Sequence, residues 1–257
     1  MYKRKLACAK GLLFVLFLLP VSDALAEEVR VAVASNFLVP LKKLSQEFKT
    51  LTGNEAVLIS GSTGKLYAQI KQGAPFDVLL AADSLRSQLL EKEGIGIAGS
   101  RFTYAVGRLA LWSAGSHRFA IKDLQVLKQK NFRYLAIANP KTAPYGKAAK
   151  QVLIKQGIWD QLQPRLVRGE NISQTLQFVV SENAELGFVA LSQLKDNGVK
   201  LMGTYWTVPA DWHDPIRQQA ILLKRAQTNE AAREFLNFLK SDRSQKLIES
   251  YGYSLEK

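Results

Sequence analysis

Apolar positions along this chain follow two alternating periods. Short runs at Val29 to Ala34, Ala56 to Ile59, Asp77 to Ala81, Leu109 to Ser113, Leu135 to Ala138, Leu186 to Ala190 and Ala220 to Lys224 read as buried strands. Between them, apolar residues recur three or four positions apart, the spacing of one helix face. Leu41, Leu44, Phe48 and Leu51 make such a face, with Pro40 suited to its first turn, and Leu66 with Ile70 makes a shorter one. The same spacing marks Leu85 to Leu90, Ala148 to Leu153 and Leu176 to Val180, while Phe235 to Tyr251 describes one or two closing helices. Regular alternation of strand and helix predicts an α/β fold with largely parallel sheets.

No repeat, low-complexity tract or Ser/Gly-rich linker divides the chain end to end. Two lobes joined by chain crossings, with the last helices returning to the first lobe, would leave no such linker. The crossings are expected near Val106 and Ile216, where strand-like segments flank polar loops. This gives lobe 1 as residues 27–106 plus 217–257 and lobe 2 as residues 107–216.

Residues 1–26 read as a secretory leader rather than as part of the fold. Lys3, Arg4, Lys5 and Lys10 form a basic start, Gly11 to Pro20 an apolar stretch too short to span a bilayer comfortably, and Ala24-Leu25-Ala26 a cleavage site. Losing the leader removes those four bases and Asp23, and takes the formal charge from +13 to +10. It also removes Cys8, the only cysteine, so the exported chain has no disulfide and no thiolate chemistry. Export without disulfides points to a periplasm. The basic excess is dispersed; its densest stretch, Lys122, Lys128, Lys130 and Arg133, lacks the interleaved aromatics of a single-strand binder. No nucleic-acid partner is expected, and the charge raises encounter rates with anions in general.

Candidate chemistry lies where strands run into helices. Val29 to Ala34 meets Ser35-Asn36, Ala56 to Ile59 meets Ser60-Gly61-Ser62-Thr63-Gly64, and Leu135 to Ala138 meets Asn139-Pro140 and a turn ending at Tyr145-Gly146. Each junction offers hydroxyls, or backbone N–H groups that the first helical turn leaves without acceptors. Each helix N-terminus supplies about half a positive charge. Hydrogen bonds to an ionised acceptor contribute about 1.5–3 kcal/mol each, so a handful would hold a small oxyanion firmly. Donors without an accompanying carboxylate select a fully deprotonated anion, because a protonated one requires an acceptor. Ser35, Ser62 and Thr63 also suit ordinary helix capping, and Tyr145 ordinary packing. The glycine-rich turn lacks the Lys-Ser/Thr ending of a nucleotide phosphate loop.

At these positions the chain resembles the periplasmic molybdate-binding proteins of ABC importers. Val31 to Phe37, Gly61 to Leu66, Gln69-Ile70 with Gly73 to Val78, Ala81-Ala82-Asp83, Ala138-Asn139-Pro140, Ala143 to Gly146, Gly169 to Ile172, Leu186 to Val189 and Tyr251-Gly252 carry the resemblance across the whole exported chain. It implies a two-lobed type II periplasmic binding-protein fold with molybdate or tungstate in the cleft between lobes, delivered by a monomer to a membrane permease. It also implies roles. Ser35 would donate its hydroxyl and N–H, Thr63 likewise with Ser62 beside it, and the backbone N–H groups of Tyr145 and Ile172 would complete the cage from the second lobe. Protein would touch molybdate oxygens only, with no direct ligand to the metal and no cofactor. One position departs: some family members place a ligand-contacting tyrosine where this chain has Ala190.

Other chemistry finds little support. His117 and His213 lie far apart without partner patterns, Asp83 suits a cap for the helix near Ser84, and Asp77 suits a backbone contact. Trp112, Trp159, Trp206 and Trp212 are expected to pack, the last two beside the second crossing. A hydrolase built on Ser35 or Asp83 would need a base within reach. A sulfate or phosphate receptor and a polyanion binder are the competing binding readings, the last marked by strong salt dependence.

Overall fold

The computed structural model describes residues 27–115, 121–129, 131–195 and 202–256. The expected leader, Lys130 and His117 lie outside these residues. Within them run ten strands: β1 (Glu28–Ala34), β2 (Glu55–Gly61), β3 (Val78–Ala81), β4 (Phe102–Gly107), β5 (Leu109–Ser113), β6 (Leu135–Ala138), β7 (Leu166–Gly169), β8 (Leu186–Ala190), β9 (Thr204–Thr207) and β10 (Ile216–Leu222). The helices are α1 (Leu38–Thr52), α2 (Thr63–Lys71), α3 (Leu85–Lys92), α4 (Gln125–Lys128), α5 (Pro144–Lys155), α6 (Trp159–Leu162), α7 (Ile172–Val180), α8 (Leu191–Leu194), α9 (Glu230–Leu239) and α10 (Asp242–Ser250).

The strands form two five-stranded sheets with one topology used twice, β2-β1-β3-β10-β4 and β7-β6-β8-β5-β9. In the first, β1 pairs parallel with β2 and β3, and β10 runs antiparallel to both β3 and β4. In the second, β6 pairs parallel with β7 and β8, and β5 runs antiparallel to both β8 and β9. Each sheet is therefore parallel save for one strand, and that strand is the one by which the chain arrives from the other sheet. Parallel neighbours need a covering crossover helix, whereas an arriving strand can insert without one. The chain leaves the first sheet at Gly107, begins the second at Leu109, and returns between Thr207 and Ile216.

Both faces of each sheet are buried, as parallel sheets require. On the first, Val29, Val31 and Val33 pack against Phe37, Leu41, Leu44 and Phe48 of the α1 side and against Phe235 and Ile248 of α9 and α10. The closing helices thus pack on the first sheet. The opposite face, Ala32, Leu79 and Ile221, packs on Leu66, Ile70 and Leu90 of α2 and α3. On the second sheet Leu111, Leu135, Ile137 and Phe188 meet Ala149 and Val152 of α5, while Ala110, Trp112 and Ala136 meet Val179 of α7.

Candidate anion site

Four strand ends from the two sheets deliver four helical N-termini to one place. After β1 the chain turns through a 3-10 segment, Ser35–Phe37, into α1, and after β2 through Ser62 into α2. From the second sheet, β6 leads through Ala143 into α5 and β7 through Asn171 into α7. Sites outside the carboxyl ends of strands are the habit of open α/β sheets, and here two such ends face each other. Between them lies a cavity of about 10 Å³, lined by Ser35, Asn36, Ser62 and Thr63 from one lobe and by Tyr145, Asn171 and Ile172 from the other. That is below the roughly 300–1,000 Å³ typical of organic ligands. All five sequence-chosen residues line it.

The local chemistry distinguishes donors aimed at the cavity from ordinary caps. Ser62 holds the N-cap position of α2 with extended backbone, yet its hydroxyl makes no capping bond. Its Oγ is buried and without a partner among the described residues. Thr63 Oγ1 accepts the Ala82 N–H at 3.0 Å, which leaves its own proton to donate. The Ser35 carbonyl accepts the Leu38 N–H and the Ser173 hydroxyl, and the residue lines the cavity. On the far side, Pro144 opens α5 and has no N–H, so Tyr145 carries the helix's first amide. Asn171 caps α7 by accepting the Gln174 N–H at 3.0 Å, which leaves the first-turn amide of Ile172 without an intrahelical acceptor.

Electrostatics follow from what the lining lacks. Among the described residues, no Asp, Glu, Lys, Arg or His lines the cavity. Helix N-termini bring partial positive charge to it, and hydroxyls and amides bring neutral donors. Burial pushes the Tyr145 hydroxyl well above its ordinary pKa, so this ring is neutral. The two lobes meet over the cavity through Gly64 N–H to Thr142 O at 2.9 Å and through Ser192 Oγ to Asn36 O at 3.3 Å. The arrangement is therefore closed.

Residues outside the lining take structural parts. Asp83 accepts the Arg86 N–H at 2.9 Å and pairs with its guanidinium, the capping role expected of it. Buried Asp77 accepts the Arg30 N–H at 2.8 Å and lies 3.5 Å from Arg225, so its backbone partner comes from the neighbouring strand. Trp206 and Trp212 pack edge to face, 5.5 Å apart, on the second lobe's core rather than in the cavity. His213 Nδ1 lies 2.7 Å from Asp214 O at the surface. Ala190 is buried but does not line the cavity. The helix it leads into holds the site from behind: Gln193 Nε2 reaches the Ile172 carbonyl at 3.4 Å. Asn36 and Asn171 were not expected as lining residues; the only sequence signal for either was its place beside a chosen residue.

Comparison with known proteins agrees along the whole described length. The family model for bacterial extracellular solute-binding proteins matches residues 29–254. A molybdate-binding protein of Azotobacter vinelandii is 48% identical over 233 residues, 91% of this chain and 92% of that one. Its counterpart from Rhodobacter capsulatus is 43% identical over 233 residues, 91% of this chain and 90% of that one. The solved periplasmic molybdate-binding protein of A. vinelandii superposes with a TM-score of 0.84 at 39% identity, covering 89% of this chain and 100% of the other.

Proposed function

We propose that this chain, which belongs to the bacterial extracellular solute-binding protein family, captures molybdate between its lobes and delivers it to the membrane permease of an ABC importer. It is a binding protein and not an enzyme, as are the relatives it matches. One observation carries the choice of ligand: a buried, unpartnered Ser62 hydroxyl opens into a cavity that has donors from four helical N-termini and, among the described residues, no ionisable carboxylate. Such a cage suits a tetrahedral dianion that has nothing to donate. Hydrogen phosphate, which keeps a proton near neutral pH, would find only neutral hydroxyl oxygens to accept it, weaker acceptors than a carboxylate.

In this reading Ser35, Ser62 and Thr63 donate hydroxyl protons, and the amides of Ser35, Thr63, Tyr145 and Ile172 close on the remaining oxygens. The metal atom has no protein ligand, and no cofactor takes part. Tungstate, with the same charge and shape, is expected to bind as well. Capture requires closure because neither lobe alone carries the full donor set, and the closed form is what the permease would recognise. The basic leader and the family's extracellular role support a periplasmic location, and a monomer is the form we propose.

Isothermal calorimetry with molybdate, tungstate, sulfate and phosphate tests the reading. Tight binding of the first two, with weaker or absent heats for the others, is expected. No response to molybdate would overturn it.

A further inference from the structure

Behind the cavity sits a polar assembly that anion binding by itself does not call for. Gln218, on β10, is wholly buried. Its side-chain oxygen accepts from Asn36 Nδ2 at 2.8 Å and from the Tyr104 hydroxyl at 3.0 Å, and its Nε2 donates to the Tyr145 hydroxyl at 3.2 Å. Asn36 Nδ2 also donates to the Tyr253 hydroxyl at 3.0 Å, which in turn donates to the Asn36 carbonyl at 2.9 Å. An amide nitrogen can only donate, so Asn36 Nδ2 fixes which way the Gln218 amide points. Its oxygen must face Asn36 and its nitrogen must face Tyr145.

The assembly stands where the two lobes join. Gln218 lies on the strand by which the chain returns to the first lobe, and Gly107 ends the strand by which it leaves. A Cβ on Gly107 would lie 2.2 Å from the Tyr145 hydroxyl oxygen and 2.7 Å from Gln218 Nε2, so the bridge runs through space that only glycine leaves open. Its two ends reach the cage directly. Asn36 follows Ser35 in the turn that lines the cavity from one lobe, and Tyr145 presents its backbone amide from the other. A buried amide costs free energy unless all its groups are paired, and an apolar side chain would fill this space without that cost.

We propose that Gln218 is a positioning residue for anion capture: it spans the lobe junction and sets the Ser35–Asn36 turn and the Tyr145 amide at the separation that one oxyanion bridges. Closure of the lobes and assembly of the cage are then one event. A carboxylate would be a poor substitute, because it would place a negative charge behind the dianion. The proposal rests on the anion reading of the cavity.

Three variants test it: Gln218→Met, which keeps length without polarity, Tyr145→Phe, which keeps the ring and the backbone N–H, and the two combined. Each is titrated by calorimetry with whichever oxyanion of the panel binds the unmodified protein tightest. Lobe closure is read as the anion-induced fall in radius of gyration by small-angle scattering, and stability without anion by thermal melting. Gln218→Met is expected to weaken binding at least about tenfold, the scale of one or two lost hydrogen bonds, and to shrink the scattering change. Tyr145→Phe should weaken it at least about threefold, and the double variant should be no worse than Gln218→Met alone, since both cut one bridge. Unchanged affinity and closure in Gln218→Met, even with a lower melting temperature, would reduce Gln218 to a packing residue and overturn the proposal. Additive losses would overturn it as well. If Gln218→Met does not fold, unchanged affinity in Tyr145→Phe overturns the bridge. An unmodified protein that binds none of the oxyanions overturns the anion reading itself, and the positioning role with it.

Discussion

Ser62 stands where a folding residue would, with a hydroxyl that does not cap. A serine at an N-cap contributes about 1 kcal/mol to stability by accepting a first-turn amide, but the Ser62 hydroxyl accepts nothing and is buried. Leaving a buried donor unmade costs about 1–3 kcal/mol. Ser62→Ala should therefore leave the anion-free protein as stable as before or slightly more so, while weakening the anion by about 1.5–3 kcal/mol, roughly ten- to a hundredfold or more. Melting without anion and calorimetry with it check the opposed signs; a loss of stability without a loss of affinity would make Ser62 a cap after all. The hydroxyls of Ser45 and Thr142 are also buried and unpartnered, but neither lines the cavity. Thr63 differs in kind, because its Oγ1 supports Ala82 before it meets any ligand. Thr63→Val should lower both measurements, the melting temperature through the orphaned Ala82 N–H and the affinity through the lost donor.

At the scale of elements, the site was legible because hydroxyls at strand ends have a recognisable place, and the pattern that placed them also placed the strands beneath them. What the pattern missed were chiefly edges. β4, β7 and β9 each border a sheet, and β7 and β9 are mostly unburied along their length, so neither carries an apolar run to mark it. β10 was expected at Ala220 to Lys224 but starts at Ile216, because Arg217, Gln218 and Gln219 read as loop although Gln218 and Gln219 are buried. A glutamine whose partners are 73 to 182 residues away leaves no local signal of its role. The start of α2 shows how an element can act only in one state of the molecule. Gly64 is its second residue, where alanine would ordinarily favour the helix by about 1 kcal/mol. A Cβ there would lie 3.0 Å from the Thr142 Cα and carbonyl oxygen, which belong to the other lobe. Gly64→Ala should then leave the open protein at least as stable while opposing closure, and weaken the anion by about 1 kcal/mol or more, the order of an overpacked contact. Calorimetry and scattering together check this, and unchanged affinity would show that the lobes yield there without cost.

Across the whole molecule, charge and site are kept apart. Tyr104, Tyr145 and Tyr253 all have hydroxyls pushed upward chiefly by burial. Since their folded pKa lies above the unfolded value of about 10, they add stability that is complete below pH 10 or so and is lost as pH rises beyond it. Melting temperature should accordingly fall above about pH 10, and molybdate affinity should stay flat between about pH 7 and 9, because nothing in the cavity titrates there. A slope in affinity across that range would place an ionisable group against the anion. Fixed charge acts from further out. The chain carries a formal +13, or +10 without its leader, and none of the cationic side chains among the described residues lines the cavity. Such charges draw a dianion toward the cleft over the screening distance, about 10 Å at 0.1 M salt, and then hand it to neutral donors inside. The two stages separate in kinetics. Raising ionic strength from about 10 to about 300 mM should slow association several-fold by screening the outer field, and leave dissociation within about twofold because the enclosed hydrogen bonds are screened far less. Stopped-flow mixing with molybdate, followed by displacement, measures both rates. Dissociation that quickens in step with salt would mean that an exposed cation holds the anion directly, and the cage of uncharged donors would be wrong.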